Sequence, residues 1–236
     1  MRIAVVIPTR NEAGSIGRVL GDIPRPPATD VIVVDGASTD GTPAIAEAHG
    51  ARVIAEPRRG YGRACLTGIQ HAAAADVIVF LDGDYSDRPC ELPQLIEPIL
   101  SGRADITIGS RLAGKRAPGA LPWHSIVGNW AAARLIRLLY GVRITDLGPF
   151  RAARTDVIRQ LGLRETSYGW AVELIVRGAL ARKRIEEVPV SYYQRIGQSK
   201  ITGTVRGSIG AASYIFGRIL QYRFGRASTR IDAHHA

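Results

Sequence analysis

The 236-residue chain is poor in cysteine, in aromatic residues and in long apolar runs. It has two cysteines, Cys65 and Cys90, and its aromatic content is 6%. Two cysteines cannot form a disulfide framework or a thiolate metal site, so we expect a reducing compartment. No apolar run reaches the ~18 residues of a membrane-spanning helix, and the apolar stretch at the N-terminus is too short for a secretory signal. These absences predict a cytoplasmic protein.

The charge is unevenly divided along the chain. Residues 1–110 contain 10 Lys and Arg against 14 Asp and Glu, whereas residues 111–236 contain 21 against 7. The first half therefore carries −4 and the second +14, which together give the net charge of +10. A basic half of this kind suits nucleic acid, an anionic membrane surface or substrate phosphates. Because 28 of the 31 basic residues are arginine, a general arginine bias is the alternative explanation for the total.

Short apolar segments alternate with helical patterns through the first half. The expected strands are residues 3–7, 31–34, 52–55, 77–81 and 105–108, and the expected helices are residues 14–23, 42–49, 63–75 and 91–100. Nearly continuous apolar strands that alternate with helices are typical of a parallel sheet covered on both faces. Right-handed crossovers then bring the carboxyl ends of the strands to one edge, where ligands bind.

The second half has a different texture. Residues 114–122 form a flexible basic loop, and helices are expected at 123–140, 155–161 and 168–181, followed by a strand at 184–190. Residues 205–224 show an apolar stripe at helical spacing with arginines on other faces. This helix is predicted either to lie in a membrane interface or to dock on the core. We therefore divide the chain into a domain at 1–204 and a C-terminal amphipathic helix and tail at 205–236.

The turn after the first strand lacks the glycines of a dinucleotide-binding fold. It reads Pro8-Thr9-Arg10-Asn11-Glu12, whereas a pyrophosphate on a Rossmann turn needs glycine for close backbone approach. A nicotinamide-dependent dehydrogenase is therefore disfavoured. Taken alone, Thr9 and Asn11 are better explained as caps of the following helix, with Glu12 as a carboxylate of its first turn.

Aspartates follow two of the predicted buried strands. Asp35 ends the segment Val31–Asp35 of the second strand, and Asp82 and Asp84 follow the fourth. Two carboxylates beside a buried strand need a counter-charge, because unpaired burial costs several kcal/mol. A Mg²⁺ ion shared with a diphosphate meets that need, since Mg²⁺ prefers few carboxylates plus substrate phosphates. The Asp-x-Asp pair therefore predicts a metal and phosphate site, and Asp35 predicts a contact with a nucleoside.

A basic, glycine-containing turn leads into the third helix. Its sequence from Glu56 to Ala64 is EPRRGYGRA. Glycines, arginines and a helix N-terminus can together bind an anion. A surface loop that happens to be basic is an equally good explanation of this segment.

Six short patterns occur in a fixed order along residues 1–205. They are Pro8-Thr9-x-Asn11-Glu12, Asp35-x-x-Ser38-x-Asp40-Gly41-Thr42, Gly60-x-Gly62-x-Ala64, Asp82-x-Asp84, Gly109-Ser110-Arg111 and Gly197-x-Ser199-Lys200. The ordered set resembles glycosyltransferase family 2, and within it the dolichyl- and polyprenyl-phosphate sugar synthases. The resemblance implies a GT-A fold with a mostly parallel sheet between helices, a nucleotide-sugar donor, a Mg²⁺ or Mn²⁺ ion and inversion at the anomeric carbon.

The same resemblance implies a role for each matching residue. The nucleotide-sugar site would comprise Pro8, Thr9, Asn11, Glu12, Asp35, Arg59, Ala64, Asp82 and Lys200. The metal ligands would be Asp84, Asp82 and Ser86, which stands where the synthases have glutamine; Asp87 or water could replace Ser86. The acceptor phosphate would meet Arg111 and Arg151. The catalytic set would be Asp82, Asp84, Arg111, Asp146 and Arg195, with Arg195 and Lys200 close to the diphosphate.

The implied reaction is an in-line displacement of a nucleoside diphosphate from a hexose such as that of UDP-glucose or GDP-mannose. A polyprenyl-phosphate acceptor needs no general base because it is already an anion, and the basic second half favours this acceptor and a peripheral position at the cytoplasmic face of the membrane. A hydroxyl acceptor would need a carboxylate base, with Asp146 or Glu173 as candidates. Glu173 could instead pair with Arg177 four residues on.

Two other classes of protein fit the sequence less well. A nucleotidyltransferase that makes nucleotide-sugars would need a glycine-rich loop with a lysine after the first strand, which Arg10-Asn11-Glu12 does not provide. A nucleic-acid-binding module would need aromatic residues among its basic ones as a stacking platform, and aromatic residues are scarce. We therefore expect no nucleic-acid partner.

Overall fold

The computed structural model describes residues 1–197 and 205–224. The strands are β1 (Ile3–Thr9), β2 (Asp30–Asp35), β3 (Arg52–Ala55), β4 (Val77–Phe80), β5 (Ile106–Ser110), β6 (Arg151–Arg154) and β7 (Ile185–Pro189). The helices are α1 (Ile16–Asp22), α2 (Thr42–Ala48), α3 (Tyr61–His71), α4 (Leu92–Leu100), α5 (Trp123–Tyr140), α6 (Thr155–Leu161), α7 (Trp170–Leu180) and α8 (Val205–Phe224). The predicted elements are all present, with bounds that differ by a few residues.

The strands form one sheet in the order β3-β2-β1-β4-β6-β5-β7. Consecutive strand residues point to opposite faces of the sheet, and a hydrophobic core buries each face. In β1, Val6 belongs to a core cluster with residues of α3 and α7, and Val5 to a cluster with residues of α1 and α4. This arrangement explains why β1 reads as an unbroken apolar run, and it confirms the predicted sheet between two layers of helices.

One strand, β6, runs against the others and was not predicted. It pairs antiparallel with both β4 and β5, in the register that aligns Arg151 with Phe80 and Ile108. Its sequence, RAAR, has no β-branched residue, so it carries no local strand signal. Because β6 is antiparallel, its first residue and the loop before it lie at the edge where β4 and β5 end.

The C-terminal helix α8 docks on the core, which is one of the two arrangements that the sequence allows. It packs against α5 and α7, and Ile219 is completely buried. Its backbone carbonyl accepts a 2.6 Å hydrogen bond from the hydroxyl of Tyr140. Arg218 forms a 2.8 Å ion pair with the buried Glu165.

Two other expectations concern the C-terminal part of the chain. Because residues 198–204 and 225–236 lie outside the described residues, the predicted division after residue 204 stays a prediction. Among the helices that the structure describes, none is long and apolar enough to cross a membrane.

Candidate active site

Several of the predicted site residues lie at one edge of the sheet. β1, β2, β4 and β5 all end there, β6 begins there, and the segment that follows β7 crosses the same edge. The peptide N–H of Ile196 donates to the carbonyl of Asp84 (2.9 Å), and Tyr193 donates in the same way to Ser86 (2.9 Å). Residues 191–197 are thereby held across the turn that carries the two aspartates.

Asp84 is a buried carboxylate held in a fixed orientation. Its Oδ1 accepts hydrogen bonds from the backbone N–H (2.9 Å) and the hydroxyl (2.6 Å) of Ser86. The buried Ser86 hydroxyl thus orients Asp84, and its role as a metal ligand stays a prediction. Because Ser86 occupies Oδ1, Oδ2 of Asp84 is the oxygen left for other partners.

The Oδ2 atom of Asp84 faces a cation from the crossing segment. Arg195 Nη2 lies 3.2 Å from Asp84 Oδ2 and 3.7 Å from Glu12 Oε1. Arg195 therefore bridges two carboxylates that reach the edge from different strands. The predicted position of Arg195 beside the diphosphate stays a prediction, and the structure places this arginine against the carboxylate of Asp84.

Asp82 differs from Asp84 in its surroundings. Its side chain is partly exposed, yet its Oδ1 is buried and has no hydrogen-bond partner among the described residues. Burial and the neighbouring charge of Asp84 raise the pKa of Asp82 to about 7. Without a bound metal, the cations of the protein thus do not fully balance the negative charge of ionised Asp82.

The oxygen atoms of the two aspartates fit a hard divalent cation. Within the part of the chain that the structure describes, no group of three or more His, Cys, Asp or Glu is placed to hold a metal by itself. Mg²⁺ commonly uses one or two carboxylates and completes its shell with phosphates and water. Two oxygens match that requirement. One is Oδ1 of Asp82, which has no hydrogen-bond partner among the described residues, and the other is Oδ2 of Asp84, which faces Arg195.

Asp87 is a third carboxylate of the site. It is 1% exposed, and neither of its oxygens has a hydrogen-bond partner among the described residues. Burial and the charge of Asp82 raise its pKa well above the usual value, although the charge of Arg111 opposes this shift. The sequence singled out Asp87 only as a substitute ligand, because nothing in the segment DGDYSD distinguishes a buried third aspartate.

Arg111 and Asp146 form a buried, bidentate ion pair. Arg111 Nε lies 2.7 Å from Asp146 Oδ2 and Nη2 lies 2.8 Å from Oδ1, while the backbone N–H of Arg111 also donates to Oδ2 (2.9 Å). Burial by itself would raise the pKa of Asp146, but the charge and hydrogen bonds of Arg111 outweigh it and hold that pKa below its usual value. A weakly basic, enclosed carboxylate does not suit general-base catalysis. Asp146 is better described as the residue that orients Arg111.

Arg151 is placed differently from its prediction as an acceptor ligand. It is 1% exposed, and its guanidinium donates to the backbone carbonyls of Leu147, Gly148, Pro149 and Ala171. These bonds hold the loop that carries Asp146 against α7. Because its donors are enclosed in this way, Arg151 is a support of the loop and not a group that meets a phosphate from solvent.

The loops after β1 and β2 are joined by side-chain hydrogen bonds. Asp35, at the end of β2, accepts from the N–H (3.0 Å) and hydroxyl (2.5 Å) of Ser38. The Ser38 hydroxyl accepts from Asn11 N–H (2.8 Å), and Asn11 Oδ1 accepts from Thr39 N–H (2.8 Å). Pro8 lies within β1, and Thr9 is buried at its end. In the predicted nucleoside pocket, hydrogen bonds between these side chains and the loop backbones therefore hold the two loops together.

The glycine-containing turn before α3 is used for packing. Gly62 N–H donates to the carbonyl of Ser167 (3.1 Å) and Arg63 N–H to that of Thr166 (3.0 Å). A Cβ atom on Gly62 would lie 2.3 Å from the carbonyl oxygen of Glu165. The expectation of an anion-binding turn is therefore wrong for these N–H groups, because neighbouring carbonyls already accept from them.

The remaining predicted residues fall in several places. Arg59 is exposed on the turn, whereas Ala64 belongs to the hydrophobic core. Glu173 is buried and forms a 2.8 Å pair with Arg177, the structural alternative that the sequence offered. Lys200 lies outside the described residues.

Three comparisons with known proteins bear on the identity of the chain. Residues 4–162 match the sequence model of the family described as glycosyl transferase family 2. An uncharacterised glycosyltransferase of Mycobacterium tuberculosis is 37% identical over 211 residues, which cover 88% of this chain and 93% of that protein. The undecaprenyl-phosphate mannosyltransferase of Micrococcus luteus is 34% identical over 225 residues, covering 88% and 90%. The dolichyl-phosphate hexose transferase of Haloferax volcanii is 35% identical over 202 residues, covering 84% and 86%.

The fold is also found among solved structures. The crystal structure of glucosyl-3-phosphoglycerate synthase from Mycobacterium tuberculosis, in complex with Mn²⁺, uridine diphosphate and glucosyl-3-phosphoglycerate, superimposes with a TM-score of 0.72. The match covers 97% of this chain and 81% of that one at 24% identity. At this identity the likeness establishes the fold, and it confirms the predicted GT-A architecture.

Proposed function

The chain belongs to glycosyltransferase family 2, and from that premise we propose that it transfers a hexose from a nucleotide-sugar to a polyprenyl phosphate. UDP-glucose and GDP-mannose are the two donors to test first. The reaction would take place at the cytoplasmic face of the membrane, with residues 1–204 as the catalytic domain and residues 205–236 as an accessory segment.

The observation that carries this proposal is a pair of aspartates with two arginines at the same sheet edge. Arg195 approaches Asp84 from the segment after β7, and Arg111, which follows β5, is held by Asp146. Both arginines act on the carboxyl of Asp82 through their charges. A carboxylate pair with two nearby cations can accommodate a metal-bound diphosphate together with an acceptor phosphate.

The acceptor assignment has two further supports. Relatives that share most of their length with this chain are named for undecaprenyl-phosphate and dolichyl-phosphate substrates. A phosphate acceptor also needs no proton removed, which matches a site where Asp146 and Glu173 are buried and ion-paired. The basic second half would attract such an acceptor to an anionic surface.

In the proposed mechanism, the acceptor phosphate attacks the anomeric carbon while the nucleoside diphosphate leaves on the opposite side. Asp146 occupies Nε and Nη2 of Arg111, so Nη1 would donate to the acceptor phosphate. Arg195 moves from the carboxylates to the diphosphate as negative charge develops there. Asp82 and Asp84 would hold Mg²⁺ or Mn²⁺, which when bound offsets the charge of the leaving diphosphate.

The test is transfer of radiolabelled hexose from each donor to undecaprenyl phosphate in detergent with Mn²⁺, followed by organic extraction of the lipid. We expect a labelled, acid-labile lipid from one donor. Asp84→Asn should reduce its formation at least a hundredfold, because the metal and diphosphate site loses its fixed carboxylate. Asp30→Asn is the matched control, since Asp30 lies at the start of β2 and forms an exposed pair with Arg52.

Two results would contradict the proposal. One is full activity of the Asp84→Asn enzyme. The other is transfer to a saccharide or soluble hydroxyl with none to the lipid phosphate, which would favour the hydroxyl-acceptor alternative. In that case Asp87, whose oxygens lack partners among the described residues, would be the first candidate base, and Asp87→Asn would abolish transfer.

A further inference from the structure

An apolar stripe lies on the surface of α5, outside the site. Six residues of this helix are exposed. They recur at spacings of three or four residues and therefore lie on one side of the helix. We name this set the α5 stripe: Trp123, Val127, Trp130, Arg134, Arg137 and Leu138. Trp123 is 73% exposed, Trp130 55% and Leu138 80%. Four large apolar side chains in one row exceed the scattered exposure that is normal for a soluble surface.

The α5 stripe is not the face that holds the helix on the protein. Ala132, Ala133 and Ile136 on the opposite side are buried in the core cluster beneath the helix. The fold is therefore satisfied without the stripe. Its apolar residues stay exposed on the surface of the described chain.

The charge of the α5 stripe indicates which kind of partner fits. Neither α5 nor α8, which packs beside it, contains an acidic residue. The guanidinium of Arg134 lies 5.1 Å from the centre of the Trp130 ring, so the cation and the indole occupy the same surface. Tryptophan and arginine together are typical of helices that lie in the headgroup region of a bilayer.

We propose that the α5 stripe binds the surface of an anionic lipid bilayer, with the axis of α5 parallel to the membrane. The 18-residue helix is about 27 Å long at 1.5 Å per residue, long enough to insert both tryptophans and Leu138 along one line. A second copy of the chain is a poorer partner. In a two-fold interface the stripe would face itself and bring arginines together without an acidic residue on either helix.

The position of α5 connects this surface to the site, and this connection rests on the proposed function. The loop between Arg111 and Trp123 is fixed where Ala117 N–H donates to the carbonyl of Tyr192 (2.9 Å). Tyr192 precedes Arg195 in the segment that crosses the aspartates. A bilayer beneath α5 would therefore lie next to the elements that carry both site arginines, where a lipid-linked phosphate would be presented.

The experiment is flotation of the intact chain with vesicles of phosphatidylcholine alone or with 30% phosphatidylglycerol. We expect the parent to bind vesicles with phosphatidylglycerol at least tenfold more strongly than vesicles of phosphatidylcholine alone. The Trp123→Ser/Trp130→Ser variant should bind the phosphatidylglycerol vesicles at least tenfold more weakly than the parent. The matched control is Leu100→Ser/Leu180→Ser, which removes two other exposed leucines and should bind as the parent does. Because all four positions are exposed, both variants should keep the parent melting temperature.

Quenching by brominated lipids gives an independent readout. We expect quenching of Trp123 and Trp130 and none of the buried Trp170, which the Trp123→Ser/Trp130→Ser variant isolates. Equal flotation of the stripe variant and the parent would overturn the proposal, as would a parent that binds no vesicles but dimerises through the stripe. Vesicle binding requires no acceptor lipid, so this result and the transfer assay fail independently.

Discussion

Replacing Asp146 by alanine should destabilise the folded protein by about 3–5 kcal/mol, because it leaves a buried guanidinium without its counter-charge. Asp146 is completely buried, and the side chain of Arg111 is 10% exposed. The substitution removes three hydrogen bonds from Arg111 and one from the N–H of Leu147.

This cost is measurable by thermal and denaturant unfolding. For a chain of this size, 3–5 kcal/mol corresponds to a melting temperature lower by about 6–20 °C. Asp30→Ala, which breaks the exposed pair with Arg52, should cost less than about 1 kcal/mol. The double variant Arg111→Met/Asp146→Leu should recover much of the loss, because it removes the charge together with its partner.

The pH dependence gives a second measure of the same pair. Because the folded pKa of Asp146 is lowered, its contribution is complete above the unfolded value of 3.8 and is lost as the pH falls through the folded pKa. The difference between parent and Asp146→Ala should therefore be largest near neutral pH and shrink below pH 4. A loss below 1 kcal/mol at pH 7, equal to that of Asp30→Ala, would refute the reasoning.

Three further predictions concern single positions. Asp82→Asn should stabilise the metal-free protein at pH 8 but not at pH 4, because a folded pKa of about 7 makes ionisation of Asp82 unfavourable as the pH rises above 3.8; unfolding at both pH values tests this, and equal effects would contradict it. Arg195→Gln should increase Mn²⁺ affinity without donor, measured by calorimetry, because Arg195 competes with the metal for Oδ2 of Asp84; unchanged affinity would contradict it. Gly62→Ala should destabilise the protein by about 2 kcal/mol through overpacking against Glu165, whereas Gly21→Ala, which meets nothing within 4 Å, should be neutral or stabilising in a melting experiment.

The parallel part of the sheet and its acidic edge could be predicted from the sequence because the signals are local. β1, β2 and β4 are continuous apolar runs, and Asp35 and Asp82 follow directly after two of them. In a parallel sheet such ends meet at one edge whatever the intervening helices are. The order of the short patterns indicated the family, and the comparisons with known proteins confirmed it.

Local sequence could not reveal which polar groups pair across the molecule. Arg111 and Asp146 are 35 residues apart, and they meet only because β6 runs antiparallel and brings its preceding loop to the active edge. The same reversal encloses Arg151 among carbonyls. An arginine at a given position in a sequence motif can bind a phosphate or support a buried loop. Its burial must therefore be known before its role can be assigned.

The sequence by itself determined the parallel strands of the sheet, the family and the place of the two aspartates, because these depend on contiguous hydrophobicity and on residue order. Only the tertiary structure decided that Arg195 lies over Asp84, that Gly62 serves a backbone contact, and that one side of α5 stays exposed. Each of these depends on which surfaces remain after distant elements pack, and that packing depends on the whole chain and not on any one segment.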